Sequence, residues 1–354
     1  MNIVLVGLSA SGKSTLFTSF TGTVAPEGGH HRGAVGVVNV PDRRLDALSE
    51  VCRPEKTVYA NVNFIDSAPL ETPVKQDRIA LFDTMKTASA MVCVLGAYRT
   101  SSAGELVSEL KKVRLELLIS DLDLIAKRKE RLEREIQISA QKAQKQKEMD
   151  MLERIEPLLE AEKFLYGMTF DREEEAHLNN FSLLSLKPFC YVINCHENTT
   201  PSAVKALEEE VKGHLATWDD PSPVIALNGQ LESEIALMEP GDREKYLQEF
   251  GIAEHGRYRV IRAAYERLSL ITFFTIGEDE CRAWKVRRGG TALDAAGTIH
   301  SDLARGFIRA EVIEHDQFLH FGSLQEARKA GKLRLEGKTY EVRDGEIVHI
   351  MFNV

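Results

Sequence analysis

Six short apolar runs are spaced along the chain, and each predicts a β-strand. They fall at residues 1–6, 34–40, 58–66, 88–97, 188–195 and 223–228. Helical patterns lie between several of them, for example at 41–48, where Leu45 and Leu48 share one face, and at 77–86. Strands that alternate with helices are typical of a parallel sheet. We therefore predict an α/β fold built on a doubly wound, mostly parallel sheet of about six strands.

Charged and helix-favouring residues dominate the segment 105–166. A seam with alternating spacings of four and three runs through Leu118, Leu122, Ile125, Lys129, Leu132, Ile136, Ser139 and Ala143. An apolar stripe resumes at Leu152, Ile155 and Leu159. These spacings are typical of coiled coils and predict an inserted antiparallel helical hairpin with its tip near 139–147. Pro157 lies inside the return arm, where we expect it to kink or restart the helix.

The pattern of predicted elements changes again over 270–354. Short strand patterns, Gly-rich turns and one Ala-rich helix at 291–300 predict a small α+β domain. Asp344-Gly345 lies between the strand patterns 338–342 and 347–352 and predicts a β-hairpin.

The composition is typical of a globular protein and does not by itself indicate a function. The net charge of −9 gives no global attraction to nucleic acid or to an anionic membrane. The five cysteines lack a C-x-x-C spacing, which favours reduced, buried thiols. No apolar run has the length of a membrane span, and the first residues lack a basic leader. We expect a cytoplasmic protein with no membrane partner.

Candidate chemistry begins directly after the first predicted strand. Residues 7–14 read GLSASGKS, a complete G-x-x-x-x-G-K-[ST] phosphate-binding loop, and a helical pattern follows. The backbone N–H groups of such a loop and the positive end of the helix dipole bind phosphate. Lys13 would neutralise the β- and γ-phosphates. The residues that we expect to bind nucleotide here are Gly7, Ser9, Ala10, Ser11, Gly12, Lys13, Ser14 and Thr15.

Two further features fit a nucleotide site. Asp66 ends the third predicted strand, where a carboxylate of a P-loop protein holds Mg²⁺ together with the Ser14 hydroxyl. A lone Asp at the end of a strand can also simply form a turn, and the phosphate loop upstream favours the magnesium role. Asn194 and Glu197 follow a later strand at the spacing N-x-x-E, where guanine-specific P-loop proteins usually carry Asn-Lys-x-Asp. An Asn-capped turn also explains this spacing, and only its place after a sheet strand favours a base-binding loop. Cys195 replaces that Lys, so ATP and GTP both remain candidate ligands. Asn228 and Gly229, after the last strand of the sheet, form the other loop on the base side.

The hairpin carries a local basic segment, 127–147. It contains eight Lys or Arg residues against three Glu, a local charge of +5. A solvated helical face is one interpretation, and a contact with RNA, a ribosome or another acidic partner is the other.

The residues together resemble the YchF/Obg-like ATPase family over nearly the whole length. The resemblance is carried by the stretches VPDRRLD (40–46) and FIDSA (64–68), by Asn194 and Glu197, and by Pro157 in the hairpin. It is most specific near the C-terminus, in AAGTIH (295–300), RGFIRAEV (305–312) and the final FNV (352–354).

This resemblance implies three parts. They are a nucleotide-binding domain over 1–98 and 187–268, an inserted helical coiled-coil hairpin over 99–186, and a C-terminal ubiquitin-like β-grasp (TGS) domain over 269–354. It also implies binding of ATP, over or alongside GTP, and association with ribosomes or translation-linked stress responses.

Departures from the family pattern lie where hydrolysis would occur. The family's Asp-x-x-Gly is here Asp66-Ser67-Ala68-Pro69, and proline has no N–H to donate to a γ-phosphate. The Gly-rich loop that should follow is replaced by 71–78, which has no glycine, and the strand at 90–94 lacks the family's histidine. The first switch has no obvious Thr for Mg²⁺. It contains His30, His31 and Arg32, which we interpret as a polar loop. The catalytic residues are unknown at this stage.

Two main hypotheses follow from these residues. The first is a slow, Mg²⁺-dependent ATPase or GTPase that acts as a ribosome- or translation-associated switch. The second is a nucleotide-binding scaffold that has lost hydrolysis and works through protein partners of the hairpin and the TGS-like domain. A small-molecule kinase is a weaker third hypothesis, because no lid is evident.

Overall fold

The structure is a computed structural model. It describes residues 1–23, 33–100, 102–138, 141–239, 241–243, 245 and 254–353. Contacts divide the chain into two compact units. The first comprises Met1–Gly36 with Asn63–Ala264, and the second comprises Val37–Val62 with Tyr265–Val354. Each unit is described by itself.

The first unit is built on a six-stranded sheet. Its strands are β1 (Asn2–Val6), β2 (Val35–Asn39), β4 (Asn61–Asp66), β5 (Ala90–Leu95), β6 (Phe189–Asn194) and β7 (Val224–Leu227), in the spatial order β2-β4-β1-β5-β6-β7. β1 pairs in parallel with β4 and β5, and β5, β6 and β7 continue the parallel pairing. Every residue of β5, β6 and β7 is buried, as expected of strands covered on both faces. The predicted α/β sheet is confirmed.

Helices follow most of these strands. In the first unit they are α1 (Lys13–Thr21), α3 (Lys75–Thr87), α6 (Arg172–Phe181), α7 (Pro201–Ala216), α8 (Gly229–Leu237) and most of α9 (Gly256–Arg267). The helix after β2, α2 (Arg43–Cys52), belongs to the second unit. Leu45 and Leu48 of α2 are both fully buried, as their spacing predicts. Because β1, β4, β5, β6 and β7 are parallel, their carboxyl ends meet at one edge, where ligands bind in open α/β sheets.

Two long helices form the hairpin between β5 and β6. α4 (Ala103–Ile138) and α5 (Lys142–Glu160) pack through a seam that includes Leu118, Ile125, Leu132, Leu152, Ile155 and Leu159, each at most 1% exposed. Lys129, the polar position of the seam, donates to Glu156 of the other arm at 2.6 Å. α5 continues through Pro157 to Glu160, so the expected restart of the helix at this proline does not occur.

The second unit has its own six-stranded sheet. Its strands are β3 (Lys56–Val58), β8 (Leu270–Thr275), β9 (Glu280–Arg287), β10 (Phe307–Glu314), β11 (Arg334–Glu336) and β12 (Glu346–Phe352), in the order β11-β10-β12-β8-β9-β3. The last strand, β12, lies between β10 and β8 and is parallel to β8. A hairpin, a helix and a central last strand make the predicted β-grasp arrangement.

Four short helices complete this unit. They are α10 (Ala292–Ile299), α11 (Ser301–Arg305), α12 (His315–Phe321) and α13 (Leu324–Lys329). The Ala-rich helix begins where the sequence predicts, because the Thr291 hydroxyl and the Asp294 carboxylate form a reciprocal capping box.

Two details differ from expectation. The predicted strand 58–66 is divided: β4 begins only at Asn61, and Val58 ends the separate short strand β3, which pairs in parallel with β9. By its contacts, the segment Val37–Val62 is grouped with the second unit. The predicted hairpin of 338–342 with 347–352 is wrong, because 338–342 forms only an isolated bridge from Glu341 to Thr291. The Asp344 carboxylate instead accepts the Thr272 N–H at 2.8 Å and pairs with Arg44 at 2.7 Å.

Within the described ranges, no helix is both long enough and apolar enough to cross a bilayer.

Candidate functional site

The phosphate loop joins β1 to α1 along a path that glycine makes feasible. Gly12 has φ 94° at the N-cap of α1, and a Cβ added there would lie 1.9 Å from Asn194 Nδ2. A Cβ on Gly7 would lie 2.5 Å from the carbonyl oxygen of Val94. Neither position has room for a side chain. The two glycines of the motif are therefore required by the packing as well as by the backbone conformation.

An open cleft of about 390 Å³ lies over this loop. Its lining consists of Ser9, Ala10, Ser11, Gly12, Lys13, Ser14, Thr15, Ser67, Pro69 and Tyr98. All the loop positions named from the motif except Gly7 contribute to that lining. The first N–H groups of an α-helix have no acceptor within the helix, so those of α1 are available to bind an anion.

Lys13 is held within the loop. Its Nζ donates to the carbonyl oxygens of Gly7 at 3.2 Å and Leu8 at 2.9 Å. Burial lowers the pKa of Lys13, and the charges of Asp66, Glu71 and Glu109 oppose that shift. The ammonium group thus lies against the phosphate loop, surrounded by carboxylates that favour its charged form.

Ser14 and Asp66 are brought together although they are 52 positions apart. The Ser14 hydroxyl donates to Asp66 Oδ2 at 2.6 Å, and Asp66, at the end of β4, is only 1% exposed. A hydroxyl and a carboxylate are hard oxygen ligands of the kind that Mg²⁺ prefers. The two side chains fit a magnesium ion bound beside the phosphates.

Three residues at this cleft were not identified as site residues from the sequence. The Glu71 carboxylate accepts the backbone N–H of Ser9 at 2.8 Å. Arg99 donates to the carbonyl oxygen of Ser9 at 3.1 Å, and the Tyr98 hydroxyl donates to that of Ala10. Tyr98 and Arg99 closely follow β5. Because ligands bind beyond the carboxyl ends of the strands in such sheets, this position in the sequence could have identified them as site residues.

A second pocket of about 350 Å³ adjoins the helix end of the loop. It is lined by Gly12, Thr15, Tyr98, Asn194, Cys195, His196, Glu197, Asn228 and Gln230. Gly229 lies behind this lining: its N–H donates to Asn194 Oδ1 at 2.9 Å, while Asn194 Nδ2 donates to the Ser11 carbonyl oxygen at 3.3 Å. Both polar groups of Asn194 are therefore engaged with other loops.

The other expected base-side residues differ in their surroundings. Asn228 Oδ1 caps α8 by accepting the Leu231 N–H at 2.9 Å. Asn228 Nδ2 is buried and has no hydrogen-bond partner among the residues that the structure describes. Glu197 is exposed at the pocket rim. Burial raises the pKa of Cys195 to about 11, so its thiol is neutral at pH 7.

His30, His31 and Arg32 of the first switch lie outside the described residues. Pro69 lines the phosphate cleft. It replaces the glycine of the family's Asp-x-x-Gly and has no backbone N–H to donate.

The basic segment 127–147 is largely neutralised in three dimensions. Within the described ranges, six of its eight cations form ion pairs. Four carboxylates outside the segment take part: Asp123, Glu148, Glu156 and Glu173. With the three Glu of the segment, seven carboxylates thus lie among the eight cations. Among the described residues, Arg131 and Lys142 are the two cations of the segment without an ion pair. The excess of +5 in the sequence overstates the local field.

Comparisons with known proteins agree with this geometry. The YchF-GTPase_C family model, described as "Protein of unknown function (DUF933)", matches residues 270–353. The ribosome-binding ATPase YchF of Bacillus subtilis (strain 168) is 34% identical over 372 residues, covering 99% of this chain and 98% of the relative. Its counterpart in Escherichia coli O157:H7 is 32% identical over 373 residues, with the same two coverages.

A solved structure shares the fold. The Schizosaccharomyces pombe YchF GTPase matches with a TM-score of 0.86 at 23% sequence identity, covering 99% of this chain and 97% of that one.

Proposed function

The chain belongs to the YchF family, and on that premise we propose that it is a P-loop ATPase or GTPase that works slowly, with Mg²⁺, as a ribosome- or translation-associated switch. The observation that carries this proposal is the pairing of Ser14 with Asp66 beside an intact phosphate loop. Together with Lys13, these two side chains supply the groups that P-loop enzymes use to hold phosphates and metal.

The phosphates would bind along the loop from Ser9 to Thr15. Backbone N–H groups and the start of α1 would bind the phosphate oxygens, and Lys13 would exchange its contacts with Gly7 and Leu8 for contacts with phosphate. Ser14 and Asp66 would hold Mg²⁺, which neutralises charge on the phosphates when it is bound.

The base would occupy the second pocket. Asn228 Nδ2 is a buried donor without a partner in the described part of the chain, and it suits a ring nitrogen or carbonyl oxygen of a purine. Glu197 at the rim is an acceptor for an exocyclic amine, which adenine and guanine both carry. Asn194 would act mainly by joining the loops. ATP is the first ligand to test, because the curated relatives are named ATPases.

Ribosome association is proposed from the relatives' name, ribosome-binding ATPase. The hairpin segment 127–147 remains the proposed contact for RNA, and Arg131 and Lys142 are its best candidates for phosphate because they lack an ion pair among the described residues. A ribosome-associated role implies a cytoplasmic location.

A hydrolysis-deficient nucleotide-binding scaffold is the second candidate. Pro69 favours it, because a proline in the lining of the phosphate cleft offers no N–H to a γ-phosphate. In that case the hairpin and the β-grasp unit would act through protein partners.

Calorimetric titration with ATP, GTP and their non-hydrolysable analogues in Mg²⁺, followed by phosphate release on the same sample, tests both candidates. We expect binding and slow release in the wild type and loss of both in Lys13→Ala. Lys205→Ala, an exposed lysine of α7, is the matched control and should behave as the wild type. Binding without release supports the scaffold. Failure to bind any nucleotide contradicts both candidates.

A further inference from the structure

Glu71 lies in a turn that is fixed on both sides. Its neighbours Leu70 and Thr72 are 1% and 7% exposed. The Leu70 N–H donates to the Gly7 carbonyl oxygen at 3.3 Å, and the Thr72 N–H donates to that of Pro69 at 3.1 Å. Buried neighbours and two backbone hydrogen bonds hold this turn against the phosphate loop, while the Glu71 side chain itself is exposed.

The carboxylate of Glu71 uses a donor of the phosphate loop. Oε2 accepts the backbone N–H of Ser9 at 2.8 Å. Arg99 donates to the carbonyl oxygen of the same residue at 3.1 Å, so both backbone polar groups of Ser9 are held by side chains. An N–H that a P-loop would offer to a phosphate is therefore paired with an acid of the chain itself.

The position of Ser9 along the cleft indicates which phosphate is affected. The base-side pocket begins at Gly12 and Thr15, at the helix end of the loop. Ser9 is absent from the lining of that pocket and instead lines the cleft that also includes Ser67 and Pro69. A nucleotide with its base in the second pocket would bring its last phosphate, and not its first, towards Ser9.

Several carboxylates lie near the lysine of the phosphate loop. Asp66, Glu71 and Glu109 all act on Lys13, and Arg99 lies 3.4 Å from Glu109. The Asp66 carboxylate is placed to bind a metal ion, whereas the Glu71 carboxylate accepts the Ser9 N–H of the phosphate loop. A third phosphate would meet the Glu71 carboxylate on that N–H, whereas a diphosphate would end before it.

We propose that Glu71 is a specificity-determining residue that discriminates between nucleoside di- and triphosphates. Its carboxylate occupies the Ser9 N–H that a terminal phosphate would use, so a triphosphate must displace it and a diphosphate need not. The inference rests on the proposed nucleotide-binding function.

The test compares dissociation constants for a diphosphate and for the matching non-hydrolysable triphosphate, both with Mg²⁺, by calorimetry. The proteins are the full-length wild type, Glu71→Gln, Glu71→Ala and the control Glu210→Gln, which changes an exposed acid of α7. Glu71→Gln keeps the size of the side chain and an acceptor oxygen but removes the charge. Thermal unfolding of each nucleotide-free variant verifies that it is folded.

We expect both Glu71 variants to bind the triphosphate at least about tenfold more tightly relative to the diphosphate, which corresponds to about 1.4 kcal/mol. The control should keep the wild-type ratio. An unchanged ratio in Glu71→Gln and Glu71→Ala, or weaker triphosphate binding, overturns the inference while leaving nucleotide binding intact. A wild type that binds neither nucleotide contradicts the proposed function itself.

Discussion

The side-chain oxygen of Asn194 accepts the backbone N–H of Gly229 at 2.9 Å. The amide nitrogen of the same side chain donates to the carbonyl oxygen of Ser11 at 3.3 Å, and Asn194 is only 5% exposed. One amide thus joins the phosphate loop to the beginning of α8. The residue that the sequence pattern places at a base connects two loops of the site.

Asn194→Ala should therefore reduce both stability and nucleotide affinity. The change leaves a buried carbonyl oxygen and a buried N–H without their partner, and each such loss costs about 1–3 kcal/mol. Urea unfolding of the nucleotide-free protein measures this cost. Asn198→Ala, an exposed residue of the same loop, should change the free energy of unfolding by less than about 0.5 kcal/mol. Equal stability of the two variants would refute the connecting role.

Gly12→Ala tests the close approach of the phosphate loop to Asn194. The new Cβ would lie 1.9 Å from Asn194 Nδ2 in a left-handed backbone conformation, so the loop or the asparagine must move. We expect at least about tenfold weaker binding of every nucleotide, whatever its number of phosphates. Gly22→Ala is the control, since its φ is 65° but no atom lies within 4 Å of the new Cβ. Its cost should be limited to about 1 kcal/mol of backbone strain. Similar binding by both variants would show that the contact is unimportant.

Local sequence patterns were sufficient for the phosphate loop, the parallel sheet and the hairpin, because each depends on short-range periodicity or on a contiguous motif. The division of 58–66 was missed because β3 pairs with β9, more than 200 residues away, and nothing in its own pattern shows that pairing. The false hairpin at Asp344-Gly345 has a similar cause. The turn signal is real, but the Asp344 carboxylate is engaged by Thr272 and Arg44.

In the site, too, the sequence predicts contacts that depend on local motifs but not those that depend on packing between distant loops. Lys13, Ser14 and Asp66 lie together as the motif implies, since strand ends and a loop of fixed shape determine their positions. The contacts of Glu71 and Arg99 with Ser9 depend on how separate loops pack over the sheet. No spacing along the chain encodes those contacts.

Replacing Pro69 tests whether a missing N–H limits hydrolysis. Pro69→Ala restores a backbone donor in the lining of the phosphate cleft with little added flexibility, and Pro69→Gly restores it with more. A hydrogen bond to a charged group contributes about 1.5–3 kcal/mol. If the donor reaches a γ-phosphate, the affinity for a triphosphate should rise by about tenfold or more, and the rate of phosphate release should rise with it. Both are measured against Pro73→Ala, a proline in the same connection. No change in either Pro69 variant would show that the missing donor limits neither triphosphate binding nor hydrolysis.

Burial beside the phosphate loop gives the free protein a pH-dependent stability through Glu109. Burial raises the pKa of this carboxyl above its ordinary value, although Arg99 and the Gly96 N–H oppose the shift. A raised pKa in the folded state means that the stability it contributes is complete at acid pH and is lost as pH rises through that pKa. The glutamine of Glu109→Gln does not titrate. The free energy of unfolding of this variant should therefore rise relative to that of the wild type as the pH increases from acid to neutral. Urea unfolding across that range measures the difference, with the exposed Glu105→Gln of the same helix as control. A difference that is constant with pH would contradict the shift.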